Sequence, residues 1–445
     1  MERYDVLLIN PPSRINEAFE HLGLGYLAAC LREKGITVKI LNMPTWTVPQ
    51  ALQQVKNFSS EILGISIPFQ HSADLAFDFI TALKSERLDT HITIGGIYPT
   101  FCYEEIMHMF PAIDSVVLGE GEHTFVELAK TVLHGRDWRK IRGIAYREND
   151  KIVTGEPRPL IKDLDSLPFP ARDSLPEVLK RLGFATMLSS RGCYGRCSFC
   201  SVIPFYSKFG PKYRLRSSEN VMEEIDMLYN EYGVRNIEFT DANFVGGKGH
   251  GFHRAREIAE EILKRNLDLR ISIQCRPDDV DEDLFAILKK AGLSKVFLGV
   301  ESGSQTMLDR FKKDITVEEN IKALEILGRL DIIVIMGFIT FDDRITIREF
   351  RENMAFIKKA ICTIPISKLK FNLASKLIPL AGTEAEQYMK KNPKYRGNSL
   401  EYGYNLDDVR LQMLYNAFNK FGNFSRNVKR IFNIKAGNER DWMKR

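Results

Sequence analysis

Three cysteines, Cys193, Cys197 and Cys200, lie within eight residues directly after an apolar segment. Three thiols this close converge on one small object only if the loop wraps around it, and Gly192 and Gly195 give the backbone that freedom. A zinc site needs four ligands, usually from two CxxC pairs, whereas the remaining cysteines of this chain are isolated. Disulfide frameworks belong mainly to short secreted chains. A cubane iron–sulfur cluster normally takes four thiolates, so three would leave one iron open to bind a substrate.

The cysteine segment resembles the radical S-adenosylmethionine (SAM) superfamily, whose signature is CxxxCxΦC with an aromatic residue before the last cysteine, here Phe199. The resemblance implies that the open iron of a 4Fe–4S cluster chelates the amino and carboxylate groups of SAM. It also implies that an electron from the reduced cluster breaks a carbon–sulfur bond, which leaves methionine and a 5′-deoxyadenosyl radical. In such enzymes the cofactor carries the chemistry, and the protein orients it and excludes water. The electron would come from a reducing partner of the flavodoxin or ferredoxin type.

Two polar residues that follow predicted strands resemble positions that bind the methionine part of SAM. Asp241 comes after NIEFT, where the family places a carboxylate against the ammonium group. The alternative is an aspartate that caps a helix or stabilises a turn. Arg276 follows SIQC and could pair with the methionine carboxylate, although a surface salt bridge is the competing interpretation.

Two further segments resemble the positions that bind the ribose and adenine of SAM. Glu301 and Ser302, in FLGVESGS, match the ribose position, where a carboxylate can accept from both sugar hydroxyls. An unpaired glutamate at the end of a buried strand is costly, so we expect a ligand or partner there. Gly337 and Phe338 resemble the adenine segment, but residues 341–343 read Phe-Asp-Asp where the family has a proline and a glutamate.

Residues 184–385 alternate six apolar strands with helical patterns, and the cysteine loop follows the first strand. The strands are ATMLSS, NIEFTD, LRISIQC, KVFLGVE, IIVIMGF and LKFNLAS. This alternation predicts a partial (β/α)6 barrel, whose chemistry lies at the carboxyl ends of its strands. The candidate SAM residues follow successive strands, as such a site requires.

Residues 1–140 form a separate series of five apolar strands and amphipathic helices. Near-continuous apolar strands predict an open, Rossmann-like parallel sheet with helices on both faces. Ligands of such sheets bind beyond the carboxyl ends of the strands. At those ends lie Asn10-Pro11-Pro12, Gly64-Ile65-Ser66, the segment 95–100 (GGIYPT) and the segment 119–122 (GEGE).

This front region resembles the cobalamin-binding domain that precedes the radical domain in one large subgroup. The cobalamin contacts implied are Pro12, Gly64, Ser66, Gly95, Gly96, Tyr98, Pro99, Thr100, Gly119, Glu120 and Gly121. Glycines at a sheet edge allow the backbone to approach a flat corrin or its nucleotide tail. The DxHxxG motif that supplies a histidine below cobalt is absent, and His21 and His71 are interpreted as surface or capping residues. The alternative is a Rossmann-like relic without a cofactor.

A linker and a tail complete the predicted organisation. Residues 141–183 contain a predicted hairpin, GIAYRENDKIVTG, and a proline-punctuated connector. Residues 386–445 are predicted to be mostly helical, closing the barrel. The tail places Lys420, Arg426, Lys429, Arg430, Lys435, Arg440, Lys444 and Arg445 among Phe418, Phe421, Phe424 and Phe432. Such a mixture could instead grip phosphates and stack bases of RNA.

The bulk composition sets the class of protein. The chain has 445 residues with 44% hydrophobic and 27% charged residues, as in globular proteins of two or three domains. A net charge of +5 is mild and does not by itself indicate nucleic acid. The longest apolar stretch is half the length of a membrane span, and we recognise no signal peptide. We therefore expect a cytoplasmic monomer that acts on a small molecule.

Together these features predict a cobalamin-dependent radical SAM methyltransferase. The resemblance implies that the radical abstracts hydrogen from the substrate, methylcobalamin delivers a methyl group to an unactivated carbon or to phosphorus, and a second SAM remethylates cobalamin. The alternatives are cyclisation or rearrangement without methylation, RNA modification, and a non-enzymatic cobalamin or redox sensor. Only methyl transfer must yield S-adenosylhomocysteine, so product analysis separates the first two.

Overall fold

The computed structural model describes residues 2–14, 19–70, 73–86, 89–398, 400 and 402–431, the last eleven as backbone only. The first part of the chain contains β1 (Glu2–Arg3), β2 (Val6–Asn10), α1 (Leu22–Arg32), β3 (Val38–Asn42), α2 (Val48–Val55), β4 (Phe58–Ser59), β5 (Ile62–Ser66), α3 (Ala73–Glu86), β6 (His91–Gly95), α4 (Ile97–Met109), β7 (Ser115–Val117), α5 (Gly121–Leu133), β8 (Ile144–Glu148), β9 (Lys151–Thr154) and α6 (Leu175–Leu182).

The first sheet has the strand order β3-β2-β5-β6-β7-β8-β9. Its first five strands are parallel and are the five apolar segments predicted from the sequence. The hairpin β8-β9 continues the sheet in antiparallel orientation, with Ala145 opposite Val116. The front sheet therefore extends past residue 140, because the buried Ile144 and Ala145 cover the edge that β7 would otherwise expose.

Helices cover both faces of this sheet, which confirms the predicted Rossmann-like architecture. Alternate residues of each central strand point to opposite layers. Leu7 and Ile9 pack with α2, α3 and α4 in one core cluster. Val6 and Leu8 pack with α1 and α5 in another. The parallel strands are consequently apolar on both faces, and their carboxyl ends form one open edge.

The second part begins at β10 and forms the predicted partial barrel. It contains β10 (Ala185–Met187), β11 (Ser190–Gly192), α7 (Val202–Ser207), β12 (Tyr213–Leu215), α8 (Ser218–Glu231), β13 (Asn236–Phe239), α9 (His250–Lys264), β14 (Arg270–Cys275), α10 (Glu282–Lys290), β15 (Leu293–Glu301), α11 (Gln305–Arg310), α12 (Val317–Arg329), β16 (Ile333–Phe338), α13 (Ile347–Thr363), β17 (Leu369–Lys370), α14 (Glu384–Lys390), β18 (Arg396–Gly397), β19 (Tyr402–Gly403) and α15 (Val409–Ile431). Six parallel strands follow the order β10-β13-β14-β15-β16-β17.

The barrel strands alternate between the helical layer and the interior. On β14, Ile271, Ile273 and Cys275 are buried in the largest core cluster, so Ser272 and Gln274 point into the barrel. Helices α12 and α13 each begin at a threonine capping box, which satisfies the free backbone donors of the first turn. The α13 cap, Thr346, ends the loop that follows β16, and the α12 cap, Thr316, ends the loop that follows α11, the short helix after β15.

The C-terminal segment packs over the barrel. Phe311, Phe341 and Leu411 share a core cluster, and Phe418 lies 6.3 Å from Phe341 between ring centroids. Of the residues considered for RNA binding, the side chains of Phe421, Phe424, Arg426, Lys429 and Arg430, and all of Phe432, Lys435, Arg440, Lys444 and Arg445, lie outside the described residues. Among the described residues, no helix is both long enough and apolar enough to cross a bilayer.

Candidate active site

A two-stranded hairpin frames the cysteine loop. Strands β11 and β12 pair antiparallel, with Gly192 opposite Tyr213. The Cys193 backbone N–H donates to the Lys212 carbonyl at 3.0 Å. Gly192 has φ of +84°, and a Cβ there would lie 1.8 Å from the same carbonyl oxygen. Only glycine fits this position, so the backbone turns at the first cysteine as the sequence predicted.

All three cysteines are free thiols on one loop, with Cys193 buried and the other two half-buried. The Gly195 backbone N–H donates to the Cys193 sulfur at 3.4 Å. Burial raises the pKa of Cys200 to about 12 and also raises the pKa of Cys197, where Lys313 and Arg276 oppose the rise. Such thiols lose their protons on binding iron. In the described part of the chain, no three His, Cys, Asp or Glu side chains converge on a single metal ion.

Arg276 lies beside the cysteine loop and is buried, so it is not part of a surface salt bridge. Its Nη1 is 3.8 Å from the Cys197 sulfur. Its guanidinium binds the Asp278 carboxylate at 2.9 and 3.1 Å and donates to the Lys313 carbonyl at 2.7 Å. It also lies over the ring of Tyr194. A fixed cation beside three thiols suits a site that holds an anionic cluster and a carboxylate.

Glu301 ends β15 with φ of +66°, at a register shift between Gly299 and Glu301. Its carboxylate accepts from the Lys313 Nζ at 3.3 Å, which is the partner expected for a glutamate in this position. Sequence reasoning missed Lys313, because nothing in FKKD distinguishes it from the exposed Lys312. Ser302 is buried and donates to Asn353 at 2.8 Å, so its hydroxyl stabilises the following turn.

Asp241 is fully buried at the end of the second barrel strand. Its carboxylate accepts from the Ser189 backbone N–H at 3.1 Å, from the Ser189 hydroxyl at 2.8 Å and from the Ser190 hydroxyl. Burial raises its pKa, and Arg254 opposes the rise. No helix begins at this aspartate. It ties the end of β13 to the segment that enters the cysteine loop, and its contact with the SAM ammonium stays a prediction.

Gly337 and Phe338, the candidate adenine residues, face opposite sides of the barrel wall. Gly337 lies under the ring of Phe297, since a Cβ would come within 2.9 Å of it. The side chain of Phe338 points outward instead, into the helical layer, where it stacks on Phe356 at 6.1 Å. Phe199 packs edge-on against Phe311 at 5.5 Å.

A pocket with about 970 Å³ of empty volume lies at the carboxyl edge of the first sheet. Seven of the predicted cobalamin residues line it, namely Gly64, Ser66, Gly95, Gly96, Gly119, Glu120 and Gly121. The other four, Pro12, Tyr98, Pro99 and Thr100, do not. Thr100 does not line the pocket but supports two glycines that do. Its hydroxyl donates to the Gly96 carbonyl at 2.8 Å and accepts from the Gly119 N–H at 3.1 Å.

The glycines fit a broad, flat ligand. Gly96 and Gly119 have φ of +126° and +79°, which side-chain-bearing residues rarely adopt. A Cβ at Gly64 would lie 2.6 Å from the ring of Phe125, so no side chain fits between strand and helix there. Most of the pocket wall is bare backbone and apolar side chains such as Leu24, which a corrin ring and its tail can approach closely.

The radical domain closes this pocket from the other side, with residues that sequence reasoning did not identify. Leu188, Arg191, Phe205 and Tyr206 line it. Arg191 stands two residues before Cys193, so one segment borders both candidate sites. The one sequence feature that could have indicated this closure is the pair of glutamates in GEGE, because carboxylates that become buried need charged or hydrogen-bonding partners.

His21 also lines the pocket, and it is the capping histidine expected from the sequence. The Leu24 backbone N–H donates to its Nδ1 at 3.2 Å. Burial lowers its pKa to about 4, so the ring is neutral. With Nδ1 already accepting this bond, the neutral ring carries its proton on Nε2. His71 lies outside the described residues.

Residues 187–357 match the radical SAM superfamily, and residues 14–129 match the B12 binding domain. An uncharacterized methyltransferase from Pyrococcus horikoshii is 32% identical over 404 residues, which cover 88% of this chain and 84% of that protein. The chain belongs to the radical SAM superfamily. Within the superfamily, it is one of the members with an N-terminal B12-binding domain.

Other relatives of this radical SAM protein extend the comparison. The 4′-phospho-dehydrooxetanocin synthase of Priestia megaterium is 28% identical over 76% of this chain, which spans 48% of the synthase. The structure of the cobalamin-dependent radical enzyme OxsB with aqua-cobalamin and SAM bound superimposes with a TM-score of 0.80, at 23% identity, over 94% of this chain and 66% of that one. For the methyltransferase TsrM from Kitasatospora setae the TM-score is 0.71, at 20% identity, over 91% and 80%. These structures share its two-domain fold.

The matched domains establish the cofactors of this radical SAM enzyme. They are a 4Fe–4S cluster and SAM in the barrel and cobalamin in the front domain. The bare glycine walls of the front pocket and the cation-flanked thiols of the cysteine loop fit these groups. The match also answers the question left by the absent DxHxxG motif, because a B12 domain is recognised without it.

Proposed function

We propose that this radical SAM enzyme transfers a methyl group to an unactivated carbon, or to phosphorus, of a small molecule. When bound, the cluster and SAM supply a 5′-deoxyadenosyl radical, and cobalamin supplies the methyl group. The observation that supports the proposal is that Leu188 and Arg191 line the front pocket and lie on the segment that leads into Cys193. Radical methyl transfer requires both cofactors to reach one substrate, and two sites joined by so short a segment are close enough for that.

In this proposal the barrel residues hold SAM in a fixed orientation. Cys193, Cys197 and Cys200 bind the cluster. Arg276 neutralises the SAM carboxylate and the cluster charge, and Glu301, held by its lysine partner, accepts from the ribose hydroxyls. Asp241, Ser302 and the backbone of Gly337 and Phe338 complete the enclosure, with Phe199 packed beneath the loop. None of these groups needs to move a proton, which agrees with a reaction begun by a radical.

The front-domain glycines hold the corrin by shape. Gly64, Gly95, Gly96, Gly119 and Gly121 bring the backbone against it, and Ser66 offers a hydroxyl. The neutral His21 lines the same pocket with Nδ1 committed to the α1 cap. A corrin bound here would therefore take no ligand from this histidine.

A labelled methyl group tests the proposal without knowledge of the substrate. The protein is reconstituted anaerobically with iron, sulfide and reduced cobalamin and then given SAM with a deuterated methyl group. We expect one S-adenosylhomocysteine for each label found on the extracted corrin, and none from protein reconstituted without cobalamin. Cleavage of SAM to 5′-deoxyadenosine with no S-adenosylhomocysteine would contradict methyl transfer.

The second candidate is a cobalamin-associated cyclisation or rearrangement. It is favoured by the likeness to the Priestia synthase and to an anaerobic magnesium-protoporphyrin IX monomethyl ester cyclase of Synechocystis, 27% identical over 78% of this chain. Such a reaction needs the radical but consumes no methyl group. The labelled-SAM experiment separates the two candidates, because here the label stays on methionine.

The proposal also covers the substrate, the electron donor, the oligomeric state and the location of the enzyme. The substrate is a small molecule or natural product, and a flavodoxin or ferredoxin type protein reduces the cluster. The enzyme works as a monomer in the cytoplasm. Two observations support a small-molecule substrate over RNA, the mild net charge of +5 and the packing of Phe418 against the barrel cluster.

A further inference from the structure

The acidic turn after β7 reaches from the cobalamin pocket to the cluster loop. Glu120 and Glu122 lie in this turn, and both line the pocket. The Glu120 carboxylate accepts from Arg191 Nη1 at 2.7 Å, and the Glu122 carboxylate accepts from Arg191 Nη2 at 2.5 Å. One guanidinium of the radical domain therefore bridges two carboxylates of the front domain.

The paired strand binds the same turn. Arg214 on β12 donates to both oxygens of Glu120 at 2.9 and 2.8 Å, and Arg214 stands directly opposite Arg191 in the hairpin. The exposed fractions of these side chains are 10% or less. The turn thus holds both strands of the hairpin that carries Cys193.

This contact is sensitive to small displacements. Buried bidentate ion pairs require good geometry, and removing one partner leaves an uncompensated charge. Only Gly192 separates Arg191 from Cys193, and the Cys193 N–H is anchored to Lys212. A shift of the turn by a bound corrin would therefore be transmitted to the first cluster ligand.

We propose that Arg191 is a positioning residue that couples occupation of the cobalamin pocket to the placement of Cys193. The cluster and cobalamin then bind with positive cooperativity, and each raises the affinity of the protein for the other by the same factor. The coupling holds whether the enzyme transfers a methyl group or rearranges its substrate.

A second buried arginine provides a matched control. Arg172 also joins the front domain to the barrel, through Glu20 at 2.8 Å and Glu224 at 2.6 Å. Its side chain is 2% exposed, but neither of its partners lines the pocket, and it is not on the hairpin. Arg172→Lys weakens a comparable interdomain contact that includes neither the acidic turn nor Arg191.

The test is the dissociation constant of hydroxocobalamin for the full chain, measured with the cluster removed and with it reconstituted. We expect reconstituted wild-type protein to bind at least about fivefold more tightly. Arg191→Lys brings this ratio close to one, and Arg172→Lys retains it. The electron paramagnetic resonance signal of the reduced cluster should change on cobalamin binding in wild type and Arg172→Lys, but not in Arg191→Lys.

Three results would overturn the proposal: a wild-type ratio of one, an Arg191→Lys ratio equal to wild type, or equal loss in both variants. If Arg191→Lys fails to fold, Glu122→Gln replaces it, because it removes one of the two contacts that the guanidinium makes with the turn. An intermediate ratio then supports the coupling, and an unchanged ratio rejects it.

Discussion

The cobalamin pocket and the cluster site are neighbours, but different kinds of chemical groups form them. The pocket walls are mainly glycine backbone and apolar side chains at the ends of parallel strands, and the charged residues among them, Glu120, Glu122 and Arg191, are paired with one another. The cluster site consists of thiols, cations and carboxylates on loops, with Arg276 and Lys313 close to Cys197. The first site selects its ligand by shape, and the second by charge and coordination. We therefore expect a substitution that adds volume to weaken the front pocket, and a substitution that removes a charge to weaken ligand binding at the cluster site.

The largest expected effect is at the cluster. Cys197→Ser should reduce 5′-deoxyadenosine formation to background and lower the iron content of reconstituted protein, because one of three thiolates is lost. Cobalamin should still bind, with the lower affinity of the cluster-free protein, since none of the residues that line its pocket is a cysteine. Cys362→Ser, at an exposed cysteine, is the control. Normal iron content in Cys197→Ser would refute the assigned ligand.

Adding a methyl group tests selection by shape. In Gly64→Ala the new Cβ would meet Phe125 at 2.6 Å and Leu8 at 2.8 Å, so we expect a loss of about 1–3 kcal/mol in unfolding free energy. Because Phe125 lines the pocket, cobalamin affinity should also fall, by about tenfold or more. In Gly95→Ala the nearest atom is 3.6 Å away, so stability should stay close to wild type. Equal destabilisation of both variants would argue against overpacking.

Removing a cation tests selection by charge. Lys313→Met leaves Glu301 without its 3.3 Å partner in a half-buried position. We expect about tenfold weaker SAM binding, equivalent to roughly 1.4 kcal/mol, with unchanged cobalamin binding. Lys312→Met removes the neighbouring exposed lysine, whose partner is the surface residue Glu384. Isothermal titration with SAM should distinguish the two variants, and similar affinities would exclude a role for Lys313.

The last prediction concerns the pH dependence of stability in the front domain. Burial lowers the pKa of both His21 and His91 to about 4, against 6.5 when unfolded. The unfolded chain binds more protons between these values, so stability is complete above pH 6.5 and falls as the pH drops toward 4. We expect a loss of roughly 1–3 kcal/mol from each histidine.

Thermal unfolding of His21→Gln against pH measures this contribution. The variant should show a shallower decline below pH 6.5 than wild type, with His123→Gln, on the same domain, as the control. An unchanged pH slope would show that His21 is not kept neutral by burial. Asp342 in the barrel has the opposite sign, because burial raises its pKa to about 6 and acid therefore favours its folded form.

Much of the fold was predictable because periodicity reports burial locally. The five front strands and six barrel strands are the apolar segments read from the sequence. The hairpin β8-β9 was recognised as a hairpin, but its membership of the first sheet was not, because edge pairing depends on which neighbour lacks a partner. The outward direction of Phe338 follows from strand register, which a motif does not specify.

The charged contacts were the least predictable part of the site. Glu120 and Arg191 are 71 positions apart, and Arg214 is 94 positions from Glu120. Taken alone, each of these charged residues would be expected on the solvated surface. Their pairing becomes visible only when the linker brings the hairpin against the acidic turn.

By itself, the amino-acid sequence determined the cluster-binding loop, the two strand series and the family, because these depend on residues close together along the chain. The tertiary structure decided which charges are paired, which glycines line a pocket, and that Leu188 and Arg191, on the segment that leads into Cys193, line the front pocket. Ion pairs and cavities arise from segments distant in sequence, and burial strengthens them only after those segments pack together. The residues that carry the chemistry were recognisable from short motifs, whereas their arrangement in space was not.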